Sequence, residues 1–163
     1  MTSETDIQPW YQKRTDRELA RVIDYVGWIT SATIPLIIPI THPVYPLRLL
    51  PSFLPPLFSS RLMTNGKKER KEEIKELIGE GEAKEFDDDV AKYKNFYAIS
   101  KFLRNYITTI STGFIKDKLI RGINSQDMVV ALTLAGIITA TEILGNKARK
   151  DLEGMAEEEP LMF

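Results

Sequence analysis

The chain has 163 residues, 22 basic and 23 acidic side chains, a net charge of −1 and 43% hydrophobic residues. That is one domain's worth of sequence with enough apolar content for a core, and its balanced charge gives no global pull toward nucleic acid or an anionic membrane. It has no cysteine, which excludes disulfides, thiolate nucleophiles, zinc–thiolate sites and iron–sulfur ligation.

Residues 1–14 read as a polar arm. Glu4, Asp6, Asp16 and Glu18 and the lack of an early apolar run argue against a secretory or transit segment. The expected setting is intracellular, or inside a particle. Thr15-Asp16-Arg17-Glu18 has capping-box spacing and opens a first helix over 15–34. Leu19, Val22, Ile23, Val26 and Ile29 make one apolar face at helical spacing. Pro35 is expected to end it.

Seven of the nine prolines fall between Pro35 and Pro56. Each lacks an N–H and biases its predecessor toward extended geometry. Residues 35–63 are therefore expected to form a long, extended, proline-rich strap. It is apolar, carrying Leu36, Ile37, Ile38, Ile40, Val44, Tyr45, Leu49, Leu50, Phe53, Leu54, Leu57 and Phe58. Disordered linkers are polar, so such a strap needs a groove on its own helices or on a neighbour. At ~3.1 Å per residue its extended part reaches roughly 70 Å, against about 40 Å across a compact domain of this length. These twelve residues are the candidate subunit contacts.

A helical bundle is expected over 64–152. Thr64-Asn65-Gly66 signals a turn. Lys67 to Ile78 reads as a charged helix that Gly79 and Gly81 stop, and its Lys/Glu/Ile richness leans toward a thermophile. Asp87 or Asp88 is expected to cap a long helix to about Ser111. Its apolar face holds Val90, Tyr93, Tyr97, Leu103, Ile107 and Ile110, widened by Phe96, Ile99 and Tyr106. Gly113 suits a break, with a short helix after it closed by Gly122. Ser125 starts the last helix. Met128 to Thr141 contains no charge, and Ala131, Ala135 and Thr139, then Gly136 and Ala140, are spaced by four. That pattern reads as the central helix of the bundle. Residues 153–163 form an acidic tail. The expected fold is mainly α: about four helices with the strap near the N-terminus.

No catalytic, cofactor or metal site emerges. His42 is the only histidine and sits among prolines, and no Gly-x-Ser-x-Gly motif accompanies it. Asp87-Asp88-Asp89 reads as a helix cap and solvated face, because three consecutive carboxylates cannot all meet one ion. Gly79-x-Gly81 lacks the features of a phosphate loop. From Lys92 to Arg121 the bases Lys92, Lys94, Lys101, Arg104, Lys116, Lys118 and Arg121 face a single acid, Asp117, with aromatics interleaved. This is the candidate nucleic-acid contact. Against a membrane span, Met128–Thr141 gives only 14 residues where ~20 are needed.

The expected function is a non-catalytic structural subunit of a larger assembly of coat, filament or scaffold type. The alternative is a small accessory subunit of a membrane complex. Copies of the chain or other subunits, nucleic acid and a membrane surface are the candidate partners.

Overall fold

A computed structural model describes residues 10–38, 49–65 and 67–157. It contains α1 (Trp10–Ile37), α2 (Leu50–Met63), α3 (Lys67–Leu77), α4 (Glu80–Arg121) and α5 (Ser125–Glu157). Among the described residues there is no strand. The described residues are mainly helical as expected, in five helices rather than about four.

Glycine sets two of the breaks. Gly79 and Gly122 have φ of 142° and 98°, values that L side chains rarely adopt. α4 starts directly after Gly79, at Glu80, so Asp87 and Asp88 lie inside the helix and do not cap it. Gly113 does not break α4, which runs unbroken to Arg121. One interior glycine costs only about 1 kcal/mol against alanine, too little to outweigh packing along both flanks. α1 begins at Trp10, ahead of the Thr15 capping box, and α5 continues to Glu157 through the start of the expected acidic tail.

The strap expectation is corrected over its described part. Ile40, His42, Val44 and Tyr45 lie outside the described residues. Pro35 sits within α1, and Pro51, Pro55 and Pro56 sit within α2. Pro51 is in the first turn, where the missing N–H has no helical partner to lose. Pro35, Pro55 and Pro56 are interior, and each frees the carbonyl four residues back. Those freed by Pro35 and Pro55, on Ser31 and Pro51, are met by α4. Thr109 Oγ1 lies 3.2 Å from the Ser31 carbonyl, sharing its proton with the Asn105 carbonyl at 3.1 Å. Asn105 Nδ2 donates to the Pro51 carbonyl at 3.3 Å. A neighbouring helix that supplies the lost donors lets a helix carry proline.

These contacts also set the topology. α1 and α4 run parallel, matched at Asp24–Arg104, Trp28–Thr108 and Leu36–Lys116. α2 returns against α1, with Asn65 on Asp16 and Pro55 on Gly27. A Cβ at Gly27 would sit 2.5 Å from Pro55 Cβ and Cγ, so only glycine permits this crossing. α5 runs back along α4, with Glu142 on Lys101 and Asp127 on Lys118. α4 touches every other helix.

The bundle has two zones of opposite character. At the end bearing α3, Ala20, Met63, Val90, Tyr97, Ala148 and Leu152 form an apolar core beneath a charged surface. Toward the other end the arrangement reverses. Ser31, Ser52, Asn105, Thr108 and Thr109 are buried, while Val26, Ile29, Leu57, Ile110, Leu119 and Leu132 face outward. The α1 face of Leu19, Val22, Val26 and Ile29 is thus outside. α5 is not the central helix either. Its apolar part packs against α4, and only 11% of its most apolar window is buried.

Replacing Thr109 by Val should lower stability by about 1–3 kcal/mol, because the Ser31 carbonyl loses its buried donor. In a Pro35→Ala background the restored N–H supplies that donor, and the same substitution should cost little. Denaturant unfolding of the four variants, followed by helical circular dichroism, measures the difference.

Candidate functional site

Where the apolar core gives way to the polar one, four charged side chains meet. Asp24 comes from α1, Lys101 and Arg104 from α4, and Glu142 from α5. Arg104 and Lys101 are 0% and 1% exposed. The Arg104 guanidinium grips Asp24 with both terminal nitrogens, at 3.1 Å to Oδ2 and 2.9 Å to Oδ1. It also donates to Glu142 Oε2 at 2.6 Å. Lys101 Nζ lies 2.8 Å from Glu142 Oε2 and 3.3 Å from Asp24 Oδ2. Two cations and two anions balance.

Amides finish the network. Asn105 Oδ1 accepts from Arg104 Nε and Nη2, and its Nδ2 serves the Pro51 carbonyl of α2. Asn146 Oδ1 accepts from Lys101, while its Nδ2 donates to Glu142 Oε1. The Trp28 ring lies beneath the guanidinium at 5.0 Å, and its indole N–H donates to Thr108 Oγ1. One connected network therefore ties α1, α2, α4 and α5. Close approach permits it: a Cβ at Gly145 would stand 3.0 Å from Lys101 Cε.

Above and below the cluster the charges are peripheral. On α4 the next charged residues are Lys94 and Lys116, 22 positions apart or about 33 Å along the helix. On α5 they are Asp127 and Lys147, 20 positions or about 30 Å apart. Within those limits Lys101, Arg104 and Glu142 are the only charges, and all three point into the cluster. Beyond them surface pairs appear. Arg21 meets Glu153 at 2.8 Å, and that hydrogen bond raises the guanidinium above its ordinary value. Lys71 meets Asp87 and Lys118 meets Asp127.

The seven basic residues of the candidate nucleic-acid contact are separated into three groups. Lys92 and Lys94 are on the α3 end, Lys101 and Arg104 are interior, and Lys116, Lys118 and Arg121 are at the opposite end. In the last group Lys116 donates to the Leu36 carbonyl and Arg121 pairs with Asp117. They do not form one stripe. The described members of the candidate subunit contact fare differently. Leu36, Ile37, Leu50, Phe53, Leu54, Leu57 and Phe58 all point outward, and Ile38 and Leu49 are partly buried. Asp87, Asp88 and Asp89 sit on successive positions of α4, and among the described residues no His/Cys/Asp/Glu group is arranged to hold a metal.

The sequence reading missed Asp24, Asn105, Glu142 and Asn146. Two signals mark them. Asp24 and Glu142 are single acids bordering long uncharged runs. Lys101, Arg104, Asn105, Thr108 and Thr109 recur at i, i+3, i+4, i+7 and i+8, a polar stripe on an otherwise apolar helix.

No protein-family model, curated protein or solved structure matches the chain.

Arg104→Leu should cost about 3–5 kcal/mol, because it leaves two carboxylates, Asp24 and Glu142, sharing the single cation Lys101 and so one negative charge uncompensated. Combining it with Asp24→Leu leaves Lys101 and Glu142 as a neutral pair and should recover much of the loss. Thermal unfolding of the single and double variants checks this; a double variant no more stable than Arg104→Leu alone would contradict it.

Proposed function

We propose that the chain is a membrane-embedded, non-catalytic structural subunit whose α3 end stands in water. The observation that supports this most is the reversal of polarity along the bundle. In water a large apolar surface beside a four-charge cluster with three members buried is doubly unfavourable: each exposed side chain forgoes about 1.5–3 kcal/mol of burial, and each buried ion must recover its desolvation cost. In lipid the same arrangement is favourable. Apolar side chains contact the acyl chains, and ionisable groups turn inward and pair.

Three further features agree. The distance between peripheral charges, about 30–33 Å, matches a hydrocarbon layer of ~30 Å. Buried crossings use small or hydroxylated residues such as Gly27, Ser31, Ser52, Ser59, Ser100 and Gly145. Without a hydrophobic drive between helices, close packing and interhelical hydrogen bonds must hold a bundle together. One helix, over Ser125–Met155, has the length and mean hydropathy (1.9) to span by itself. α1 and α4 carry inward-facing charges and polar groups that lower their average.

The cluster's role in this reading is architectural. Its charges are mutually satisfied, leaving no free nucleophile or base, and it fixes the register of three helices. The coat or filament reading would place neighbouring subunits on the same apolar surface. Its nucleic-acid version draws less support, since Lys101 and Arg104 are committed to Asp24 and Glu142.

Expressed in a bacterial host, the chain should stay with the membrane pellet through alkaline carbonate extraction and be released by non-ionic detergent. Recovery as a monodisperse species in aqueous buffer, or as a detergent-independent particle, would contradict the proposal.

A further inference from the structure

The two ends of the bundle differ sharply in basic residues, and we propose from this difference that the chain inserts with its α3 end on the cytoplasmic side of the membrane. The inference rests on the membrane reading above and adds a direction to it. Counting from Arg17, fourteen lysines and arginines stand at the α3 end. They comprise two on α1, Arg61 on α2, five on α3, and three each on the adjoining parts of α4 and α5. The opposite end holds three, Lys116, Lys118 and Arg121. The segment 39–48 contains one more, Arg48.

Loops rich in lysine and arginine are retained in the cytoplasm during insertion. The rule applies to short loops and to residues near the ends of the spans, and both conditions hold here. Arg61 to Lys94 is a stretch of 34 residues between the apolar parts of α2 and α4. The three bases of α5, Lys147, Arg149 and Lys150, follow directly on its apolar run. Acidic residues are also plentiful at this end, and residues 67–89 carry ten acids against six bases. They do not cancel the signal, because orientation follows the lysine and arginine count and not net charge. For the same reason the inference concerns direction of insertion and not attraction to anionic lipid.

The topology makes the direction a property of the whole described bundle. α1 and α5 place all their basic residues at the same end, together with α3, while α4 carries three at each end. The short turn 122–124 between α4 and α5 stands at the other.

The absence of native cysteine provides a direct test. Glu85→Cys marks the α3 end and Ile123→Cys marks the turn 122–124; both sites are exposed, and neither change alters the basic count. Intact spheroplasts of a bacterial host are treated with a membrane-impermeant maleimide, then lysed and treated again. The expected result is labelling of Ile123→Cys before lysis and of Glu85→Cys only after it. Labelling of Glu85→Cys before lysis, with Ile123→Cys protected, would overturn the orientation and leave the membrane reading standing. Labelling of both only after lysis, with the chain in the soluble fraction, would overturn the membrane reading and the orientation with it.

Discussion

A fully buried Arg104 holds two carboxylates from two different helices, Asp24 buried and Glu142 partly exposed, and the rest of the bundle is arranged around that requirement. A buried guanidinium is tolerable only with every donor engaged and its charge matched. Asp24 and Glu142 match it, Lys101 restores neutrality, and Asn105 takes the remaining donors. Because these groups lie on α1, α4 and α5, their pairing fixes how far each helix is translated along its neighbours. The same face of α4 then provides Asn105 and Thr109 for the carbonyls that Pro55 and Pro35 leave free. A single polar stripe thus serves both the ionic cluster and the carbonyls that Pro35 and Pro55 free in two helices.

The sequence made the helices legible where local chemistry decides them. α3 and the starts and stops at Gly79, Gly122 and Ser125 follow from backbone and capping preferences. It misled where a distant partner overrides a local rule. Pro35 and Pro55 disrupt a helix in isolation, but residues 74 and 50 positions away in α4 supply what each proline removes. No window around either proline contains that information. The apolar faces were legible as faces but not in their direction. Periodicity shows that Val22, Val26 and Ile29 share a side of α1; whether that side meets a core or a lipid depends on what stands opposite. The polar stripe of α4 was present in the sequence all along. It was hidden because seven bases with interleaved aromatics suggest a surface, and only position separates the two inward ones from the rest.

On the proposed membrane reading, two solvents account for the two zones. Near α3 an apolar core lies under charged side chains, as aqueous folding requires. Beyond the ionic cluster the pattern inverts, with hydroxyls and amides inside and Leu, Ile, Val and Phe outside. The cluster lies inside the span between the peripheral charges, about 10 Å along α4 from Lys94. Buried ion pairs are a poor source of net stability but an effective constraint on register. In an apolar surrounding, where hydrophobic burial cannot hold helices together, such a constraint together with small-residue crossings is what remains to define one packing.

The most direct test of this two-solvent account is the collision accessibility of spin labels on the chain in lipid vesicles. Nitroxides placed singly at Leu103 and Leu132, both outward-facing between the peripheral charges, are compared with one at Lys84 on the charged end. The two leucine sites should meet oxygen readily and be shielded from a water-soluble nickel chelate, and the Lys84 site should show the reverse. Leucine sites open to the chelate, or closed to both reagents as at a protein–protein contact, would contradict it.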